Sequence, residues 1–208
     1  MCPLVVIRHG PTDWNRAGRI QGRSDPPLSD QGRGAVRRWR LPPELTGAAA
    51  ADWDWLTSPL ARARETAALL GSGLGPGAGP AVIRPEPALI EMSWGAWEGR
   101  RLDELRAEGG DAMAEAEAFG LDFCPPGGES PRQVQGRLGP LLETLAAAGR
   151  PVVAISHKGV LRALYALASG WNMTDAPAEN LRDACAHRFL LVGGGAVRLD
   201  RMNLPLSP

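Results

Sequence analysis

The chain reads as an α/β protein with three layers: a mostly parallel central sheet, helices on both faces, a helical insertion over the site and a C-terminal β-hairpin. Three observations lead there. Short β-branched runs alternate with segments of helical periodicity, the pattern of a parallel sheet covered on both sides. Val5–Ile7 and Val152–Ile155 are apolar without alternation, as strands buried on both faces are. Two late runs, Phe189–Val192 and Ala196–Arg201, flank Gly193-Gly194-Gly195 as a hairpin would. A length of 208 residues supports one substantial core, so 1–208 is read as a single domain with an insertion at about 93–128.

The elements follow in order. Val5–Ile7 is the first strand, Trp53–Leu56 the second, Ala81–Arg84 a weaker third and Val152–Ile155 the fourth. Ser58-Pro59 reads as a helix cap with proline in the first helical position. Leu60, Ala63, Ala67 and Leu70 then mark one face, and Gly71 ends the helix. Gly71–Pro80 is a glycine-proline loop, expected to be a mobile surface excursion. Ser130 and Gln133 form a capping box for a helix striped by Val134, Leu138, Leu141, Leu142 and Leu145, with a kink expected at Pro140 and a stop at Gly149. A last helix spans about Lys158–Ser169, with Val160, Leu161, Leu164 and Leu167 inward.

Bulk properties exclude several classes. The 23 basic and 23 acidic residues balance, so no nucleic-acid or membrane partner is expected. Arginines crowd the first forty positions. Arg33–Arg40 read as a solvated helix face, whereas Arg8, at a strand end, suits an anionic ligand. Cys2, Cys124 and Cys185 are scattered and form no CxxC pair, which fits a reducing cytoplasm. No apolar run approaches the ~20 residues that span a bilayer, and no secretory signal is apparent.

Four segments converge on chemistry. Arg8-His9-Gly10 ends the first strand, Arg62 lies in the first turn of the helix after the second, Glu91 follows the third, and His157 links the fourth strand to its helix. Ligands of open α/β sheets bind at the carboxyl edge of the strands, where helix N-termini add N–H groups and positive dipole ends. Two arginines, two histidines and one carboxylate there suit phosphoryl transfer. Guanidinium groups clamp phosphate oxygens, a neutral imidazole attacks phosphorus, and Glu91 protonates the leaving group. No metal and no other cofactor is required; the expected partner is a small phosphorylated substrate. Oligomeric state is not readable.

Taken together these motifs resemble the histidine phosphatase superfamily, the phosphoglycerate mutase-like proteins. The matching residues are Arg8-His9-Gly10 with Thr12 and Asn15, Gln21-Gly22 with Pro27-Leu28-Ser29 and Gly32, and Ser58 to Ala63 with Thr66. Glu91 with Gly95 and Trp97-Glu98-Gly99, Gly127 to Ser130, and Ser156-His157 complete the set. The resemblance implies that His9 is phosphorylated, that Glu91 donates the proton, and that Arg8, Arg62 and His157 complete the phosphate pocket. It further implies substrate contacts from Thr12, Asn15, Gln21 and Gly22.

The chain departs from that pattern at Pro11, where a polar or acidic residue is common, and at Lys158, where a small residue is usual. Lys158 opposes the dipole of its helix and is expected to point to solvent. Trp94 and Trp97 read as core, with an apolar wall for the leaving group as the alternative. Asp103, Glu104, Glu108, Asp111, Glu115 and Glu117 outnumber the basic residues of the insertion. That acidic lean favours a phosphatase over a bisphosphoglycerate-dependent mutase; a non-catalytic phosphate-binding protein is the third reading.

Overall fold

The computed structural model describes residues 1–42, 53–74 and 80–206. The strands are β1 (Cys2–Arg8), β2 (Asp54–Thr57), β3 (Ile83–Pro85), β4 (Val152–Ser156), β5 (Cys185–Val192) and β6 (Ala196–Pro205). They form one sheet in the order β3-β2-β4-β1-β5-β6. β1 to β4 are parallel, while β5 pairs antiparallel with β1 and β6 with β5. The helices among the described residues are α1 (Asp13–Arg16), α2 (Asp30–Arg38), α3 (Ala61–Ser72), α4 (Leu102–Glu117), α5 (Pro131–Ala148) and α6 (Lys158–Ser169).

Successive strand residues point to opposite faces, and the apolar runs therefore feed two cores. Leu4, Val6, Val152 and Ala154 pack with Val134, Leu138 and Leu142 of α5 and Val160, Leu161 and Leu164 of α6. Val5, Ile7, Val153 and Ile155 pack on the other side with Val36 of α2 and Ala63, Ala67 and Leu70 of α3. This is the expected three-layer arrangement. Among the described residues no helix is long and apolar enough to cross a membrane.

Several boundaries differ from expectation. β5 begins earlier, at Cys185: Cys-Ala-His-Arg gives little β signal, but Cys185 pairs with β6 and Ala186 to Arg188 pair with β1. Helix α3 starts at Ala61, not behind Ser58, and ends at Ser72. Its first free amide, Ala61 N, is capped from outside by both oxygens of Asp25 (2.8 and 3.0 Å), while Ser58 Oγ accepts from Leu60 N (3.3 Å) just ahead of the helix. Residues 75–79 of the expected glycine-proline loop lie outside the described residues. The α5 capping box and left-handed Gly149 stop are present, and the helix is continuous across Pro140. Leu167 is 42% exposed; its angular position is the inward one, but its partners run out in the last turn of α6.

The main element of residues 93–128 is helix α4, as expected, but it is not straight. Gly110 breaks it with φ 49° and ψ −131°. Eleven residues of straight helix would separate Arg106 from Glu117 by about 16 Å, yet their side chains form an ion pair at 2.7 Å. The insertion is thus a helical hairpin closed on itself.

Candidate active site

Strand register assembles the site. Arg8 pairs with Ser156 and Thr57 with Ile155. One residue further on, His9 N donates to Ser156 O and Ser58 N to Ile155 O, both at 2.9 Å. His9, Ser58 and His157 therefore leave the sheet at one edge. The rings of His9 and His157 lie 5.1 Å apart between centroids.

His9 is held in one tautomer. Its Nδ1 lies 2.7 Å from the carbonyl oxygen of Gly10, which can only accept, so Nδ1 carries the proton. Arg62 Nε donates to His9 Nε2 at 3.3 Å, the lone-pair nitrogen. Burial pushes the His9 pKa well below the ordinary 6.5, and the Arg8 and Arg62 charges push the same way. The ring is neutral at pH 7 with a nucleophilic nitrogen at Nε2.

Arg62 is fully buried and grips the loop ahead of α2. It donates to Ser24 O (2.7 Å), Gly22 O (2.8 Å) and Asp25 Oδ1 (3.4 Å). Much of its hydrogen-bonding capacity thus shapes the mouth of the site. Glu98, in the matching Trp97-Glu98-Gly99 motif, reinforces that loop by accepting from Arg23 N, Ser24 N, Ser24 Oγ and Trp94 N. Burial raises the Glu98 pKa, but these donors outweigh it and hold the carboxylate below its ordinary range.

Glu91 reaches the edge from the far side of β3. Its Oε1 accepts from Met92 N (2.9 Å) and Gly159 N (3.1 Å), tying it to the first turn of α6. A Cβ at position 159 would stand 2.5 Å from that oxygen, so the approach requires glycine. Burial raises the Glu91 pKa above 4.5, against the pull of the two amides and of Arg62 and Arg8.

His157 is buried and its pKa is lowered well below 6.5, first by burial and then by the His9, Arg62 and Arg8 charges. Its Nε2 meets Ser58 Oγ at 2.7 Å, the contact that displaced the expected cap. Its Nδ1 is buried without a partner among the described residues, as is Arg8 Nε. Unpaired buried polar atoms are costly. Both lie beside His9, Arg8 as its chain neighbour and His157 through the ring contact.

A cavity of about 670 Å³ opens from this cluster. Arg8, His9, Asn15, Gln21, Gly22, Arg62 and Glu91 line it; Thr12 and His157 do not. Thr12 is buried and caps α1 in a reciprocal pair with Asn15, whose Oδ1 accepts from Thr12 N and Oγ1. That leaves the Asn15 amide nitrogen for a ligand and makes Thr12 its anchor. Trp94 and Phe123 form an apolar wall, ring centroids 6.2 Å apart. Glu129 is instead tied to Arg23, Arg137 and Ser93 N.

Two expectations are corrected here. Lys158 lines the cavity, because the Leu181 carbonyl and Asp183 carboxylate accept its ammonium group and offset the dipole. The same Asp183 takes Arg8 Nη1 at 2.6 Å; residing in a loop 175 positions from Arg8, it left no sequence signal. The acidic insertion, too, does not make an acidic cavity. Asp103 and Glu104 pair with Arg101, and Glu108 with Arg100. Of the acids in that segment, only Glu117 lines the cavity, held by Arg106. The described cavity wall carries six arginine and lysine residues and three carboxylates.

The chain is similar to known proteins over most of its length. The model of the histidine phosphatase superfamily (branch 1) matches residues 4–205. A 2,3-bisphosphoglycerate-dependent phosphoglycerate mutase of Methylobacterium radiotolerans is 34% identical over 185 residues, 86% of this chain and 84% of that protein. A glucosyl-3-phosphoglycerate phosphatase of Mycobacterium tuberculosis is 33% identical over 180 residues, 78% of this chain and 73% of that one. The structure of the mycobacterial glucosyl-3-phosphoglycerate phosphatase with VO3 is similar at TM-score 0.75 and 28% identity, covering 100% of both chains. Bacillus stearothermophilus YhfR is similar at TM-score 0.77 and 27% identity, over 96% of this chain and 95% of its own.

Proposed function

Since the chain belongs to the histidine phosphatase superfamily (branch 1), we propose that it is a metal-independent phosphomonoester hydrolase acting through a phosphohistidine at His9. The phosphate dianion of a small metabolite sits against Arg8, Arg62, His157 Nδ1–H and the Asn15 amide, with Gln21 and Gly22 at the mouth and Thr12 holding Asn15. His9 Nε2 attacks phosphorus in line, the P–O ester bond breaks, and the Glu91 carboxyl gives its proton to the departing oxygen. Glu91, now ionised, takes a proton from water, whose oxygen attacks phosphorus as the P–N bond breaks. Inorganic phosphate leaves and both groups return to their starting states.

The observation that carries the reading is the His9 tautomer: Nδ1–H is committed to Gly10 O, and Nε2 keeps its lone pair, facing the Arg62 guanidinium. Hydrolysis is favoured over transfer because His9 faces a cavity of about 670 Å³, many times the ~30 Å³ of one water. Water therefore has room once the alcohol departs. Mutase activity is the second reading, favoured by the named Methylobacterium relative. We place the protein in the cytoplasm, where its free thiols Cys2, Cys124 and Cys185 stay reduced.

The test is an alkaline quench after mixing with labelled phosphomonoester. Label on His9, absent from His9→Ala, is expected; label on His157 would reverse the two roles. With 3-phosphoglycerate, release of inorganic phosphate without added 2,3-bisphosphoglycerate supports the hydrolase. Isomerisation that depends on the bisphosphate selects the mutase.

A further inference from the structure

Besides the residues already assigned, the cavity is lined by Arg162. This residue lies one helical turn beyond Lys158 and Gly159 on α6, so its side chain emerges on the same face. The other cavity cations are held. Arg8 and Lys158 bind Asp183, Arg62 binds the loop from Gly22 to Asp25, Arg106 binds Glu117, and Arg19 donates to Gly99 O. Among the described residues Arg162 makes no hydrogen bond or ion pair. Its guanidinium instead lies 4.7 Å from the ring centroid of Trp171. Trp171 is fixed in turn by its indole N–H to Asp175 Oδ1 (3.0 Å) and by the edge-on ring of Tyr165. A half-buried guanidinium, seated over an aromatic ring with its N–H groups unspent, is a preorganised anion receptor. Burial lowers its pKa and no acid pulls it back up.

We propose that Arg162 forms a carboxylate subsite, and that the alcohol part of the substrate is an apolar spacer ending in a carboxylate. This rests on the hydrolase reading for the phosphate end. The planar fork of the guanidinium matches a carboxylate in two-point contact. Asp175, which lines the same cavity and holds Trp171, makes a singly charged group a better fit than a second phosphate dianion. Met92, Trp94, Leu102 and Phe123 also line the cavity, apolar surface that favours hydrocarbon over a short hydroxylated chain.

The test uses matched pairs: ω-carboxyalkyl and ω-hydroxyalkyl phosphonates over a series of spacer lengths, titrated calorimetrically into the full chain. The corresponding phosphate esters are assayed in parallel for kcat/KM. The wild-type protein is expected to prefer the carboxylate by about tenfold or more at its best length, the scale of one charged hydrogen-bonded contact. Arg162→Met collapses that ratio to near one, and Arg162→Lys keeps part of it. A wild-type ratio near one at every length, or a ratio preserved in Arg162→Met, overturns the subsite. Carboxylate-selective binding without turnover of any ester leaves the subsite standing and overturns the hydrolase reading instead.

Discussion

Replacing Glu91 by glutamine separates the chemistry of this site from its architecture. Glutamine keeps an Oε1 that can accept from Met92 N and Gly159 N, as Glu91 does at 2.9 and 3.1 Å. The link to α6 is preserved while the transferable proton is lost. General acid catalysis contributes about 10² to 10⁴ in rate, or roughly 2.7 to 5.5 kcal/mol of barrier. That full loss is expected with an alkyl phosphate, whose alkoxide leaves poorly unprotonated. With p-nitrophenyl phosphate, a good leaving group, the loss is expected to stay within about tenfold. The pH profile supplies a second readout. Activity requires neutral His9, with its pKa far below 6.5, and protonated Glu91, with its pKa above 4.5. Corrected for substrate ionisation, kcat/KM of the wild type therefore falls on the alkaline side as Glu91 ionises, and Glu91→Gln loses that limb. Stability follows the same direction with pH. A carboxyl whose folded pKa is raised stabilises the fold below its unfolded pKa, and that contribution is lost as pH rises through the folded value. Glu91→Gln is thus expected to unfold at higher urea than wild type above neutrality. Equal rate losses on both substrates, or a loss below about tenfold with the alkyl ester, would refute Glu91 as the proton donor.

Other outcomes follow from the same geometry. His187 is buried between Arg182 O and Asn203 N, and burial lowers its pKa to about 4. A lowered histidine stabilises above its unfolded pKa of 6.5 and loses that contribution as pH falls toward 4, about 3 kcal/mol in all. Urea midpoints of His187→Gln and wild type should therefore converge between pH 7 and pH 4; parallel curves would mean that His187 titrates normally. Gly110→Ala forces a Cβ into a backbone region open mainly to glycine, at a cost of about 1–3 kcal/mol. An unchanged thermal midpoint would show that the hairpin of the insertion is absent in solution. Because guanidinium groups neutralise the phosphate, dialysis against EDTA is expected to leave kcat/KM unchanged; loss restored by a divalent cation would contradict the metal-free scheme.

The core was legible because its signals are local. Val5–Ile7 and Val152–Ile155 are strands whose apolar runs need no partner to be recognised, and Ser130 with Gln133 announces α5 within four residues. The catalytic cluster was legible because each member stands directly at a strand end or helix start, apart from Glu91. What escaped was pairing across distance. Asp25 caps α3 and Asp183 holds Arg8 and Lys158, and both lie in loops without periodicity. Ser58 has the composition of a cap, yet its hydroxyl lies against His157 because Asp25 does the capping. The acids of the insertion misled because composition does not say which side of a helix faces the cavity. Arg162 sits inside a helix stripe and becomes distinctive only once Trp171 lies beneath it.

The central position of β1 has a consequence for biosynthesis. Its two neighbours, β4 and β5, are encoded about 150 and 180 residues downstream. During translation the Val5–Ile7 segment therefore waits with both hydrogen-bonding edges open, a state prone to improper association. Such non-local closure makes for slow folding, and His9, the proposed nucleophile, is positioned only when β4 arrives to offer it Ser156 O. A ribosome-bound chain lacking β4 is accordingly expected to be inert, and its yield in cells should depend on holdase chaperones that shield the first strand.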